Sequence, residues 1–193
     1  MINELNPTLW RTCRMLANAR RLGIIHELIG KDPQTLTQLA TACKMSIPAC
    51  SQYTRQITAR GLCREVRNGR FAFFDLHADP SIPYSASLLK ALIQSVKQSK
   101  REYKEQIAEL TTYTHVSRIR IMHYVVQHGV SETCEMKKAL HISKPALFRH
   151  IDKLIKRNVL QSVETGGYQL VKPETVLARA LLYIATNYRS HTS

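Results

Sequence analysis

The chain carries one structural unit twice. Shifting the 193-residue sequence by 97 positions lays residues 21–73 on residues 118–170 without a gap. Identical pairs include Arg21/Arg118, Ile24/Ile121, His26/His123, Ser46/Ser143, Pro48/Pro145, Arg60/Arg157 and Gly69/Gly166. Apolar positions correspond as well, among them Leu22/Ile119, Leu39/Met136, Ile57/Leu154 and Phe71/Tyr168. A period this long is no solenoid repeat, whose units run about 20–50 residues. It marks a duplicated small domain, and two domains of roughly 75–85 residues are expected. Domains of that size bury a modest core, so each is expected to lean on the other or on a partner.

Within the first copy, apolar residues at helical spacing define segments 8–16 and 19–29, the second ended by Gly30. Thr35 and Gln38 have the spacing of a capping box in front of a short helix, 36–43. Lys44 and Met45 form a tight turn, and Ser46 caps a helix over 47–60 that Gly61 ends. Two β-like runs, 62–66 and 71–74, join through Asn68-Gly69, a strong hairpin signal. Helix, helix, turn, helix and hairpin is the order of a winged helix-turn-helix. The expected fold is therefore mainly α with small β-hairpin wings. It comprises a first winged helix-turn-helix domain (1–84), a linking helix (85–114), and a second such domain with a C-terminal helix (115–193). The linker is expected as one long helix over 85–113, with Leu89, Val96, Tyr103 and Leu110 recurring every seven residues. A last helix is expected over 174–188.

The segments Ala17-Asn18-Ala19-Arg20-Arg21-Leu22-Gly23-Ile24-Ile25, Leu39-Ala40, Met45-Ser46 through Gly61-Leu62, and Arg70-Phe71-Ala72-Phe73-Phe74 resemble the ArsR-type, MarR-related regulators. That resemblance covers roughly residues 15–76 and, more loosely, the second copy. It implies a prokaryotic DNA-binding transcriptional regulator, homodimeric through its terminal helix, that releases DNA when an effector binds. The cysteine pair through which such relatives hold metal falls here on Leu36 and Thr37, so no metal site is expected.

Charge points the same way. The formal net charge is +14, divided as +5 over residues 1–84, +2 over 85–114 and +7 over 115–193. A cationic surface spread over both copies favours a polyanionic partner. The expected DNA-contacting set comprises Ser46, Ile47, Pro48, Ser51, Gln52 and Arg55 on the helix after the turn, with Arg67 and Arg70 at the hairpin. In the second copy it comprises Lys144, Arg149 and Lys153. Gln52 suits adenine and Arg55 guanine or phosphate. Phe148 and Asp152, which replace Ser51 and Arg55, leave two readings of the second copy: a backbone binder rather than a reader of bases, which is favoured, or a protein–protein surface marked by Phe148. Double-stranded DNA is the expected partner, with a homodimer through the linking or C-terminal helix. The alternative is a nonenzymatic winged-helix assembly or chromosome-associated scaffold. RNA is a third reading, since charge alone does not separate nucleic acids.

No phosphate-cradling glycine loop, nucleophile elbow or paired zinc-ligand spacing occurs, so neither enzymatic activity nor a cofactor is expected. No apolar run reaches the ~18 residues of a membrane span. Five cysteines without paired spacing suit reduced thiols, and a cytoplasmic location is expected.

Overall fold

A computed structural model describes residues 8–98, 103–164 and 166–187. In the first copy, α1 (Leu9–Leu16) and α2 (Ala19–Leu28) lead into the two-residue β1 (Gln34–Thr35). Then come α3 (Leu36–Ala42), α4 (Ile47–Thr58), β2 (Cys63–Asn68), β3 (Phe71–Leu76) and α5 (Ser85–Gln98). In the second copy, α6 (Tyr103–Thr112) and α7 (Val116–His128) precede α8 (Thr133–Leu140) and α9 (Lys144–Ile155). The hairpin β4 (Leu160–Ser162) and β5 (Tyr168–Leu170) and the helix α10 (Val176–Asn187) follow. The molecule is mainly helical, with a three-stranded antiparallel sheet of order β1-β3-β2 and a separate two-stranded one.

Local chemistry sets the element ends. Thr35 and Gln38 close the capping box that starts α3, and Ser46 Oγ accepts the Ala49 amide at 3.4 Å to start α4. Gly61 ends the following turn at φ +66°, and a Cβ there would lie 2.6 Å from Ile82 Cδ1. Only glycine suits that position.

Three expectations change. The first concerns the linker. The segment is two helices, α5 and α6, with residues 99–102 outside the described residues. In one straight helix, positions 95 and 106 would be about 16 Å apart along the axis. Gln106 Nε2 instead donates to Ser95 Oγ at 2.7 Å, so the chain turns back between α5 and α6. Gln106 Oε1 also accepts from His26 Nε2 at 2.7 Å, which ties α6 to α2. Burial lowers the His26 pKa, opposed by that Gln106 bond.

Secondly, the hairpin loop of the first copy is Gly69-Arg70, because Asn68 pairs with Phe71. Gly69 takes φ +60° at the first loop position, where glycine is favoured in the turn that matches strand twist.

Thirdly, the gapless alignment fails beyond that tip. Cys63 pairs with Leu76, but Leu160 pairs with Leu170. Gln34 pairs with Phe74, and its counterpart Ser131 bridges Tyr168. The true counterpart of Tyr168 is therefore Phe74 rather than Phe71, and the second hairpin is three residues shorter.

The copies pack through counterparts. Helix α1 lies against α6, which occupies the equivalent place, and α5 lies against α10. Counterpart on counterpart is what an approximate two-fold relation produces. Buried side chains from both copies, including Leu16, Leu22, Leu92, Leu110, Ile121 and Leu181, join one hydrophobic core. Tyr188, expected in the last helix, lies outside the described residues.

Candidate functional site

The duplication repeats a structural arginine. Arg21 on α2 donates through Nε to the Met15 carbonyl at the end of α1, and through Nη1 to Gln56 Oε1 at 2.9 Å. Arg118 on α7 reaches back in the same way. Its Nε donates to the Thr112 carbonyl at 2.6 Å, and its Nη2 to the Thr111 carbonyl and Thr114 Oγ1, both at 2.8 Å. A guanidinium at a helix C-terminus satisfies carbonyls that the helix cannot. Arg118 is only 6% exposed, and burial followed by the charges of Arg157 and Arg14 lowers its pKa.

Beside each of these arginines lies a concavity. In the first copy it is about 480 Å³ and is lined by Trp10, Arg14, Arg21, Gln56 and Arg60, among others. Moving Arg11, Arg14, Met15, Arg21, Gln56, Ala59 and Arg60 by 97 positions gives Ala108, Thr111, Thr112, Arg118, Lys153, Lys156 and Arg157. All seven line a second cleft, of about 830 Å³. Among the counterparts, Ala108 and Thr111 stand where the first copy has Arg11 and Arg14, and Lys153 and Lys156 where it has Gln56 and Ala59. A further wall comes from Val171, Lys172, Pro173 and Thr175 ahead of α10, and from Ala178 and Leu182 on it.

That wall is held in place. Thr175 Oγ1 caps α10 by accepting the Ala178 amide at 2.9 Å and donates to Glu109 Oε1 at 2.9 Å. Arg157 Nη1 donates to the Ala108 carbonyl at 2.7 Å, joining the end of α9 to α6. Among the described residues the lining holds Arg118, Lys153, Lys156, Arg157 and Lys172 against Glu109 and Glu174. Lys156 pairs with Asp152 at 2.9 Å on the exposed side of α9. The cleft is apolar on the α10 side and cationic on the α9 side.

Next to it, the His115 and His150 rings pack at a tilt, 4.4 Å between centroids. His150 is 5% exposed, and its pKa falls to about 4 through burial, then the charges of His115, Arg118, Arg149 and Lys153. Tyr53 holds the corresponding place in the first copy, under the Arg21 guanidinium.

The residues expected to contact DNA fall as follows. Ile47, Pro48, Gln52 and Arg55 are exposed on one side of α4, Ser51 is half-buried there, and Ser46 is its cap. Arg67 is exposed and pairs with Glu65 at 3.1 Å, while Arg70 lies over the Phe71 ring. Lys144, Arg149 and Lys153 are exposed on α9, and Lys144 lies over the Phe148 ring. Of the set, only Lys153 lines the large cleft. Glu109, Thr111, Lys172 and Thr175 escape the sequence reading. The signal that leads to the cleft is the identity of Arg21/Arg118 and Arg60/Arg157, since both pairs line both cavities.

The cysteines are thiols, with Cys13, Cys50 and Cys63 buried, Cys43 half-buried and Cys134 exposed. Among the described residues, no three His, Cys, Asp or Glu side chains gather as a metal site, and no helix is long and apolar enough to cross a membrane.

Comparison with known proteins corrects the functional expectation. No family model matches the chain, and neither does any curated protein. A solved structure that does match is that of human N-acetylserotonin methyltransferase in complex with SAM. The match covers 78% of this chain and 39% of that one, at 16% identity and a TM-score of 0.37. The chain thus spans about two fifths of the protein it matches. The matched protein is a methyltransferase. Membership of the ArsR-type regulators, DNA-binding transcription regulation and the exclusion of enzymatic activity are accordingly withdrawn, and the scaffold alternative gains no support. The physical reason is that apolar spacing, caps and a hairpin turn specify how helices pack, whereas function resides in what the surfaces carry. At this degree of similarity the match transfers neither activity nor cofactor to this chain.

Proposed function

We propose that the chain is a small-molecule binding module whose ligand, an amphipathic organic anion, occupies the cleft of the second copy. In this reading each copy contains a winged helix-turn-helix unit, within 1–84 and 115–193, and a flanking helix extends it. Helix α5 closes the first copy, and α6 opens the second. The observation that carries the reading is the asymmetry between equivalent cavities. The same seven positions line both, but the second has the short Ala108 and Thr111 in place of Arg11 and Arg14 and adds a wall from Val171 to Leu182. A volume near 830 Å³ falls in the range of ligand pockets, about 300–1,000 Å³. Val159, Val171, Pro173, Ala178 and Leu182 offer an apolar surface, and Lys153, Arg157 and Lys172 offer cations at its border. A ligand with an apolar body and one acidic group satisfies both sides, since burying either half against the wrong wall is unfavourable.

The probe for this is 1-anilinonaphthalene-8-sulfonate, which has an apolar ring system and a single acid group. Thr111→Arg restores the first copy's residue and should fill the opening. Fluorescence titration of the folded protein should show saturable binding that Thr111→Arg weakens about tenfold or more, worth about 1.4 kcal/mol. Arg55→Gln, on the exposed side of α4, should leave it unchanged. Equal affinity in wild type and Thr111→Arg would exclude this cleft as the site.

A further inference from the structure

The first copy's wing ends in an open strand edge. In the order β1-β3-β2, β2 has a neighbour on one side, and among the described residues Arg64, Glu65, Val66, Arg67 and Asn68 are all exposed. An edge of that length presents a row of main-chain donors and acceptors to another strand. The outer face of the hairpin is also apolar. Val66 is 44% and Phe71 53% exposed, and Val66 pairs across the ladder with the half-buried Phe73. Phe74, on the opposite face of the pleat, is the residue that enters the core. Arg64 and Asp75 border the strip, joined by bonds of 2.8 Å. The second copy's wing lacks this pattern. Gly167 stands at the place of Phe73, and Ser162 and Glu164 at those of Glu65 and Arg67.

We propose that β2 pairs with the β2 of a second molecule of this chain, antiparallel and centred on Val66, so that the two wings form one continuous sheet across a two-fold axis. Charge selects both the partner and the register. With Val66 opposite Val66, Glu65 of each molecule faces Arg67 of the other, giving two opposite-charge pairs. Moving the centre to Glu65 sets carboxylate against carboxylate. Moving it to Arg64 or Arg67 sets arginine against arginine, so the registers on either side are repelled. Parallel pairing in register repels in the same way. Within one strand Glu65 and Arg67 already lie 3.1 Å apart, so four charges of alternating sign close around the axis. On the outer face, Phe73 and Val66 of both molecules come side by side across four strands, which removes apolar surface from water. Helices α5 and α10, the elements expected to join two chains, pack on each other within one chain. One strand edge buries less than the roughly 1,200 Å² of standard complexes, so the dimer is weak and grows with concentration. This surface is separate from the cleft of the second copy and independent of its ligand.

Sedimentation equilibrium of the full chain, from about 10 μM to about 1 mM, should show the mass rising from one chain toward two. Glu65→Arg alone and Arg67→Glu alone each set like charges together and should weaken association about tenfold or more. The two substitutions combined in one chain restore opposite pairs and should restore association. An equimolar mixture of the two single variants should associate as well, because each supplies the charge that the other lacks. Both positions are exposed, and circular dichroism checks that each variant keeps the wild-type fold. A chain that stays monomeric over the whole range would overturn the proposal. So would a dimer that both single variants leave unchanged, since it would use another face. Failure of both the double variant and the mixture to associate would overturn it too.

Discussion

Arg118→Met is expected to lower the unfolding free energy by about 3 kcal/mol, and Arg21→Met by about half as much. The two arginines are counterparts, so the pair forms an internal comparison in one molecule. Arg118 donates to two main-chain carbonyls and one hydroxyl while 6% exposed. Its removal leaves the Thr111 and Thr112 carbonyls without that donor at the end of α6, and each buried acceptor left unsatisfied costs about 1–3 kcal/mol. Relief of repulsion from Arg157 and Arg14 offsets part of this, which sets the expectation at the low end. Arg21 is half-buried, and the bonds it makes go to one carbonyl and to the flexible Gln56 side chain. Urea titrations of the three proteins measure the difference. Equal costs at the two positions would show that burial of the guanidinium does not govern them.

Acid should destabilise the fold through His150. Burial comes first among the causes that bring its pKa to about 4, followed by the charges of His115, Arg118, Arg149 and Lys153. In the unfolded chain the same imidazole titrates near its ordinary value of about 6.5. Between those two values the unfolded chain takes up a proton that the folded protein refuses, so stability falls as pH drops from about 6.5 to about 4. The difference corresponds to about 3 kcal/mol, all of it present above pH 6.5 and lost by pH 4. His150→Tyr installs the first copy's residue and should flatten the curve over this window. Denaturant midpoints at several pH values, compared between the two proteins, provide the measurement. Parallel curves would mean that other groups carry the acid sensitivity.

Much of the first copy was legible in its sequence because local signals acted alone. The Thr35–Gln38 box, the Ser46 cap and Gly61 all specify an element end through backbone chemistry within a few residues. The break between α5 and α6 was not legible. Leu89, Val96, Tyr103 and Leu110 keep a seven-residue spacing straight across it, and no glycine or proline lies between 85 and 112. Tertiary contact decides it instead, through Gln106 bonding to both Ser95 and His26. Gln106 is polar by sequence, yet it is fully buried and bonded on both sides. The shorter second hairpin was hidden by a coincidence, since Phe71 and Tyr168 align by number while Phe74 and Tyr168 align in the sheet. The clefts escaped because each draws residues from three or more elements, and helical spacing describes one element at a time. Charge was misleading for a related reason. A total of +14 measures attraction to anions in general, and says nothing of whether the cations line a groove or face solvent.

The most direct measurement is an amide chemical-shift map of the full chain titrated with 1-anilinonaphthalene-8-sulfonate. A ligand in the second copy's cleft should perturb residues at the end of α9, around Lys153, Arg157 and Val159. It should also perturb the wall from Val171 to Ala178 and the end of α6 near Thr111, while Arg14, Gln56 and Arg60 keep their shifts. Perturbations centred on those first-copy residues, or spread over both copies without a focus, would contradict a binding module built on the opened cleft.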